Sequence, residues 1–142
     1  MSFQEKSAWG LLFGIFLVSF FYFPSAISIV QHSGNPIALI AVSAIGVIAL
    51  VAIEVIYHVV IVAGGDESDE RDKLIELKAE RNAGFALGFV LFVLVGHIVL
   101  NEVFAAREQL TALLIAVYVI AAITFSEIVK LLSQIGYYRV GA

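Results

Sequence analysis

The sequence predicts an all-α integral membrane protein, a four-helix transmembrane bundle threaded up-down-up-down with its third helix extended into the cytoplasm. Three observations predict it. The 142-residue chain is 61% hydrophobic and only 14% charged, against about 25% charged in soluble domains, and its mean hydropathy is +1.01. Four long apolar runs dominate it, each at or above the roughly 20 residues that cross a bilayer core. Between the second and third runs lies DESDERDKLIELKAERN, Asp66 to Asn82, which holds most of the charge. Residues 1–142 read as a single transmembrane domain.

The first span is expected over about residues 8–30, with Trp9 and Tyr22 suited to the membrane interfaces. Ala26-Ile27-Ser28 resembles a cleavage site, but the segment is taken as a retained helix. Pro24 is expected to kink its last turns or end its straight part. Gln31 to Pro36 reads as a tight polar turn, Pro36 suiting the first turn of the second helix. The second span covers about residues 37–63, interrupted by Glu54 and His58 and stopped by Gly64-Gly65.

The charged stretch, about residues 66–82, reads as a helix running into the third span at about 84–104. Acids come early and bases late, which complements the helix macrodipole. Glu67–Arg71 and Asp69–Lys73 are spaced as i, i+4 pairs. Leu74, Ile75 and Leu77 form a narrow apolar stripe. Ala105 to Gln109 is a short turn, the fourth span covers about 110–132, and Gly136 to Ala142 reads as an interfacial tail.

Four spans place both termini and the charged stretch on one side. That side carries Lys6, Arg71, Lys73, Lys78, Arg81, Lys130 and Arg139, whereas the other carries only Arg107. The bias puts the termini in the cytoplasm.

The segments FQEKSAW (Phe3 to Trp9) and DERDKLIELKAERNAG (Asp69 to Gly84), with the ending GYYRVGA, resemble small four-helix bacterial membrane proteins grouped as a domain of unknown function. The resemblance spans the chain. It implies four helices in a bacterial inner membrane and transfers no functional residue.

Some chemistry is excluded. The absence of cysteine removes disulfides and thiolate metal sites. A net charge of −4 without a basic patch argues against nucleic acid. No phosphate loop, nucleophile elbow or H-E-x-x-H motif is present.

Ionisable groups inside spans are costly and therefore functional candidates. Glu54 is the foremost, expected near the bilayer midplane, with His58 on the same helix face and Glu127 at comparable depth on the fourth helix. Such a cluster offers a cation, proton or divalent-metal site. Its structural alternative is a hydrogen bond between helices, and for Glu127 a pair with Lys130. His32, His97, Asn101 and Glu102 form a candidate set on the outer side, or simply meet headgroups and water. A divalent metal is the candidate cofactor. Haem is disfavoured, because His58 and His97 differ in depth by about nine residues' rise. Gly10 and Gly14, and Gly84, Gly88 and Gly96, have spacings that permit close helix packing, within the chain or between copies. Asp69, Glu70, Arg71, Asp72 and Lys73 are candidates for docking a cytoplasmic partner.

The leading functional expectation is a non-enzymatic inner-membrane protein that forms homo-oligomers or binds another membrane protein. A proton- or cation-coupled transporter or channel using Glu54 and His58 is the alternative, and a metal-dependent membrane enzyme a weaker one.

Overall fold

A computed structural model describes residues 3–61, 70–104 and 110–140. These residues form four helices: α1 Phe3–Ser28, α2 Pro36–Ile61, α3 Glu70–Val103 and α4 Ala112–Val140. All four are long and apolar enough to cross a membrane, so the chain is a multi-pass membrane protein. Its outward surface fits lipid: Ile37, Ile40 and Ile48 on α2 and Phe85, Phe89 and Phe92 on α3 are largely exposed. Gly64-Gly65, the Glu67–Arg71 and Asp69–Lys73 pairings and the Ala105–Gln109 turn involve positions outside the described residues.

Pro24 does not end α1. The helix runs past it to Ser28 and then winds into a π-helical turn, Ile29–Ser33. Just after the proline, Ser25 Oγ donates to the Phe21 carbonyl at 2.8 Å, the kind of side-chain bond that helps a membrane helix tolerate proline. The reversal is therefore shorter than the polar run suggests. Gly34 adopts φ +57°, in the left-handed region, and donates its N–H to the Ile29 carbonyl at 2.8 Å. Asn35 Oδ1 then caps α2 by accepting from Ile37 N–H at 3.0 Å.

Packing is led by three pairs, α3 on α4, α1 on α2 and α1 on α4. The first and last helices thus form the centre, with α2 and α3 on its flanks. The pairs are antiparallel. On α1 and α2, Lys6 meets Tyr57 whereas Tyr22 meets Ser43. On α1 and α4, Glu5 meets Arg139 whereas Tyr22 and Ala26 cluster with Val117. On α3 and α4, Glu80 meets Lys130 and Ala83 meets Ser126. Two small cores stitch the centre: Ala8, Leu12, Leu131 and Ile135 near the charged end, and Tyr22, Ala26, Leu39 and Val117 near the other.

The charged part of α3 is not a free-standing arm. Ile75, Ala79 and Ala83, four residues apart, are buried, and Ser126 Oγ donates to the Ala83 carbonyl at 2.9 Å. The stripe read as Leu74, Ile75 and Leu77 is corrected accordingly, because Leu74 and Leu77 point outward. Small residues let the backbones approach where larger ones would hold them apart. Asn82 Nδ2 donates to Ser133 Oγ at 3.2 Å and to Tyr137 OH at 3.0 Å. Gly136 begins no tail, since α4 stays helical to Val140. Its last turns are held by contacts to both neighbours: Lys78 lies 5.7 Å from the Tyr137 ring centroid, and Arg139 lies 5.6 Å from that of Trp9. Outside the bilayer run, desolvation first, and then a hydrogen bond to the Asp72 carboxylate, push the Tyr138 hydroxyl well above its ordinary range.

Candidate functional site

Helices α2 and α4 flank α1 and leave a groove along it. Two chambers open on this groove. The first, about 220 Å³, is walled almost wholly by apolar groups, including Ile15, Val18, Val47, Leu50 and Ile123. The second, about 390 Å³, lies toward the charged end and is mainly polar, with Gln4, Ser7, Glu54, Glu76, Glu127 and Lys130 on its walls. Ile15, Leu50 and Glu127 line both chambers, so the two adjoin. A third, smaller hollow of about 70 Å³ adjoins the polar chamber, sharing Gln4, Glu76 and Gln134 and lined further by Asp72, Lys73 and Tyr138.

Helical periodicity aims these side chains. Leu50, Ile53 and Glu54 stand at i, i+3 and i+4 on α2, and Glu127, Lys130 and Gln134 at i, i+3 and i+7 on α4. Tyr22 OH and Ser43 Oγ, 3.0 Å apart, tie α1 to α2 beside the apolar chamber. Gly46 faces the same chamber; a Cβ there would meet Tyr22 Cδ2 at 3.5 Å and Val18 Cγ1 at 3.8 Å.

Acids outnumber bases along the groove, where Glu54, Glu76, Glu127 and Asp72 stand against Lys130 and Lys73. Lys130, the basic group in the polar chamber, is engaged by Glu80 at 3.1 Å. The expected Glu127–Lys130 pair is therefore corrected: the lysine reaches across to α3. Among the described residues, neither Glu54 nor Glu127 makes a hydrogen bond or an ion pair. Glu54 also shares its chamber with Glu76 and Lys130.

The chain thus brings Glu54 and Glu127 to one cavity. The His58 side chain lies outside the described residues. Among those described, no three His, Asp or Glu side chains are grouped as a metal would need, the outer His32, His97 and Glu102 included. His32 Nδ1 donates to the Ser28 carbonyl at 3.0 Å, His97 and Glu102 are exposed, and Asn101 has a partner of its own. An added Cβ at Gly14 would lie 2.9 Å from Ile53 Cγ2, and one at Gly10 would run into the Tyr57 ring. Gly84, Gly88 and Gly96 meet nothing within 4 Å, so their faces are open within the chain. Glu70 and Arg71 are exposed on α3; Lys73, also exposed, lines the smallest hollow; Asp72 turns toward Tyr138, and Asp69 lies outside the described residues.

Gln4, Ser7, Glu76 and Gln134 join the polar chamber although sequence reasoning passed over them. The Glu127-Lys130-Gln134 spacing was a readable signal for a polar helix face. Nothing local marked Gln4 or Ser7, which gain their place from the α1–α4 contact.

No protein-family model, curated protein or solved structure matches the chain.

Proposed function

We propose that this is a small, non-enzymatic protein of the bacterial inner membrane, both termini cytoplasmic, that takes a cation into its groove as a transporter or channel does. The observation that carries this reading is the pair Glu54 and Glu127. They stand on two apolar helices, line one cavity and lack a partner among the described residues. Both carboxylates are exposed on the groove, and an ionised carboxylate on a membrane-crossing helix is costly unless something positive compensates it. The up-down-up-down path and orientation are supported by the Lys and Arg bias of the charged end.

Flux into liposomes tests the reading. Glu54→Gln and Glu127→Gln should abolish thallium or proton flux while leaving helicity and elution unchanged. Flux that survives both substitutions would rule the reading out. Orientation is checked with Gln31→Cys and Lys73→Cys. A membrane-impermeant thiol reagent should label the first from outside whole cells and the second only after lysis.

A second reading, self-association, is favoured by the open glycine face of α3. Cross-linking in native membranes should trap dimers through Gly88→Cys. A strictly monomeric protein would dismiss it.

A further inference from the structure

We propose that the cation is organic and amphiphilic, an alkyl- or aryl-substituted ammonium or phosphonium whose charged centre lies between Glu54 and Glu127 and whose apolar body fills the chamber between α1, α2 and α4. The inference rests on the cation reading above and names the ligand class of the same groove. The two chambers adjoin, with Glu127, Ile15 and Leu50 on the walls of both. Together they reach the size of ordinary small-molecule sites, roughly 300–1,000 Å³.

Each competing ligand class leaves part of this cavity unexplained. A chelated divalent metal needs three or four ligands, and no such group forms among the described residues. A bare alkali ion leaves the apolar chamber without an occupant. A fatty acid or anionic lipid meets Glu54, Glu76 and Glu127, with Lys130 already engaged by Glu80 and Lys73 set beside Asp72 in the smaller hollow. A neutral lipid leaves the carboxylates uncompensated. An amphiphilic cation satisfies both ends: its charge faces the acids, and its body meets Ile15, Val18, Val47 and Ile123. Hydration also favours it, because a substituted onium ion sheds water at far less cost than a compact ion, which suits a site half walled by hydrocarbon groups.

The test is equilibrium binding to protein in neutral-lipid nanodiscs, using tetraphenylphosphonium, its isosteric anion tetraphenylborate, tetramethylammonium and thallium(I). Tetraphenylphosphonium should saturate at one per chain, and tetraphenylborate should not bind. Glu54→Gln and Glu127→Gln should each weaken binding at least tenfold. Gly46→Leu, which projects into the apolar chamber from a position with room for its Cβ, should weaken tetraphenylphosphonium similarly and leave thallium unaffected. The Gly46 variant and the four-ligand comparison on the unaltered protein keep the test decisive if a glutamate variant fails to fold.

Glutamate-dependent thallium binding without tetraphenylphosphonium binding would overturn this inference and leave the cation reading standing. Equal binding of tetraphenylborate, or an inert Gly46→Leu, would also overturn it. Saturation by none of the cations would overturn both.

Discussion

Gly10 offers a sharp test of the α1–α2 contact. A Cβ at this position would lie 2.7 Å from Tyr57 Cδ2 and closer still to Cε2 and Cζ. The Tyr57 ring cannot yield freely, because its hydroxyl donates to the Lys6 carbonyl one turn back along α1. Gly10→Ala must therefore displace the ring. Overpacking of this kind costs about 1–3 kcal/mol, and the displaced hydroxyl forfeits about 0.5–1.5 kcal/mol more. Alanine returns about 1 kcal/mol in helix propensity. The net expectation is a loss of about 1–3 kcal/mol. Gly84→Ala, where no atom lies within 4 Å, should be neutral or gain up to about 1 kcal/mol.

The assay is reversible unfolding in mixed micelles, followed by far-ultraviolet circular dichroism and by Trp9, which sits against α4 through Arg139. In the double-mutant cycle, Gly10→Ala made on Tyr57→Ala should cost nothing, because the obstacle is gone. A Gly10→Ala protein as stable as the parent would refute the packing argument. A Gly84→Ala loss as large as that of Gly10→Ala would mean that another copy of the chain covers α3.

Three further outcomes follow from the α3–α4 contact. Ile75→Ala, at a fully buried position, should cost about 2–4 kcal/mol in the same unfolding assay, whereas Leu77→Ala on the exposed side should cost under about 1 kcal/mol. Asn82→Leu removes bonds to both Ser133 and Tyr137 and should cost about 1–3 kcal/mol; Tyr137→Phe, which removes one, should cost about 1 kcal/mol. Tyr138 keeps its proton more tightly when folded than its ordinary value of 10.0 allows. Its contribution is therefore complete below pH 10 and is lost as pH rises above that value, where the unfolded tyrosine ionises first. Tyr138→Phe should flatten the alkaline fall in stability, and an unchanged slope would remove this role.

The spans were legible because a bilayer demands long apolar runs, and that demand is written in composition alone. What lipid erases is the face. In water a buried stripe stands out as apolar against polar, but here Phe89 toward lipid and Leu12 toward α4 look alike in hydropathy. The α3–α4 seam escaped differently, because it lies largely in the charged stretch. Leu74 and Leu77 look like packing residues by hydropathy, yet Ile75, Ala79 and Ala83 do the packing, since small residues let the two backbones approach. The α4 boundary was missed for another reason. Gly136 suggests a stop, but Tyr137 and Tyr138 find partners on α3 that carry the helix onward. At the groove, Glu54 and Glu127 were visible as isolated acids. Their meeting in one cavity depends on α2 and α4 both flanking α1, a tertiary fact that spacing along either helix does not encode.

That central pairing of α1 with α4 has a consequence for biogenesis. Helix α1 leaves the ribosome well before α4 and finds its second neighbour only when α4 emerges, and the Glu5–Arg139 clasp joins positions separated by 134 residues. Until then, Ala8 and Leu12 have no Leu131 or Ile135 to meet, and the floor of the groove lies open to lipid. The hairpin of α1 and α2 must wait in the bilayer as a half-built unit. The groove is thus assembled only once α4 has been made, and a stalled chain that lacks α4 should be recognised by membrane proteases as unfinished.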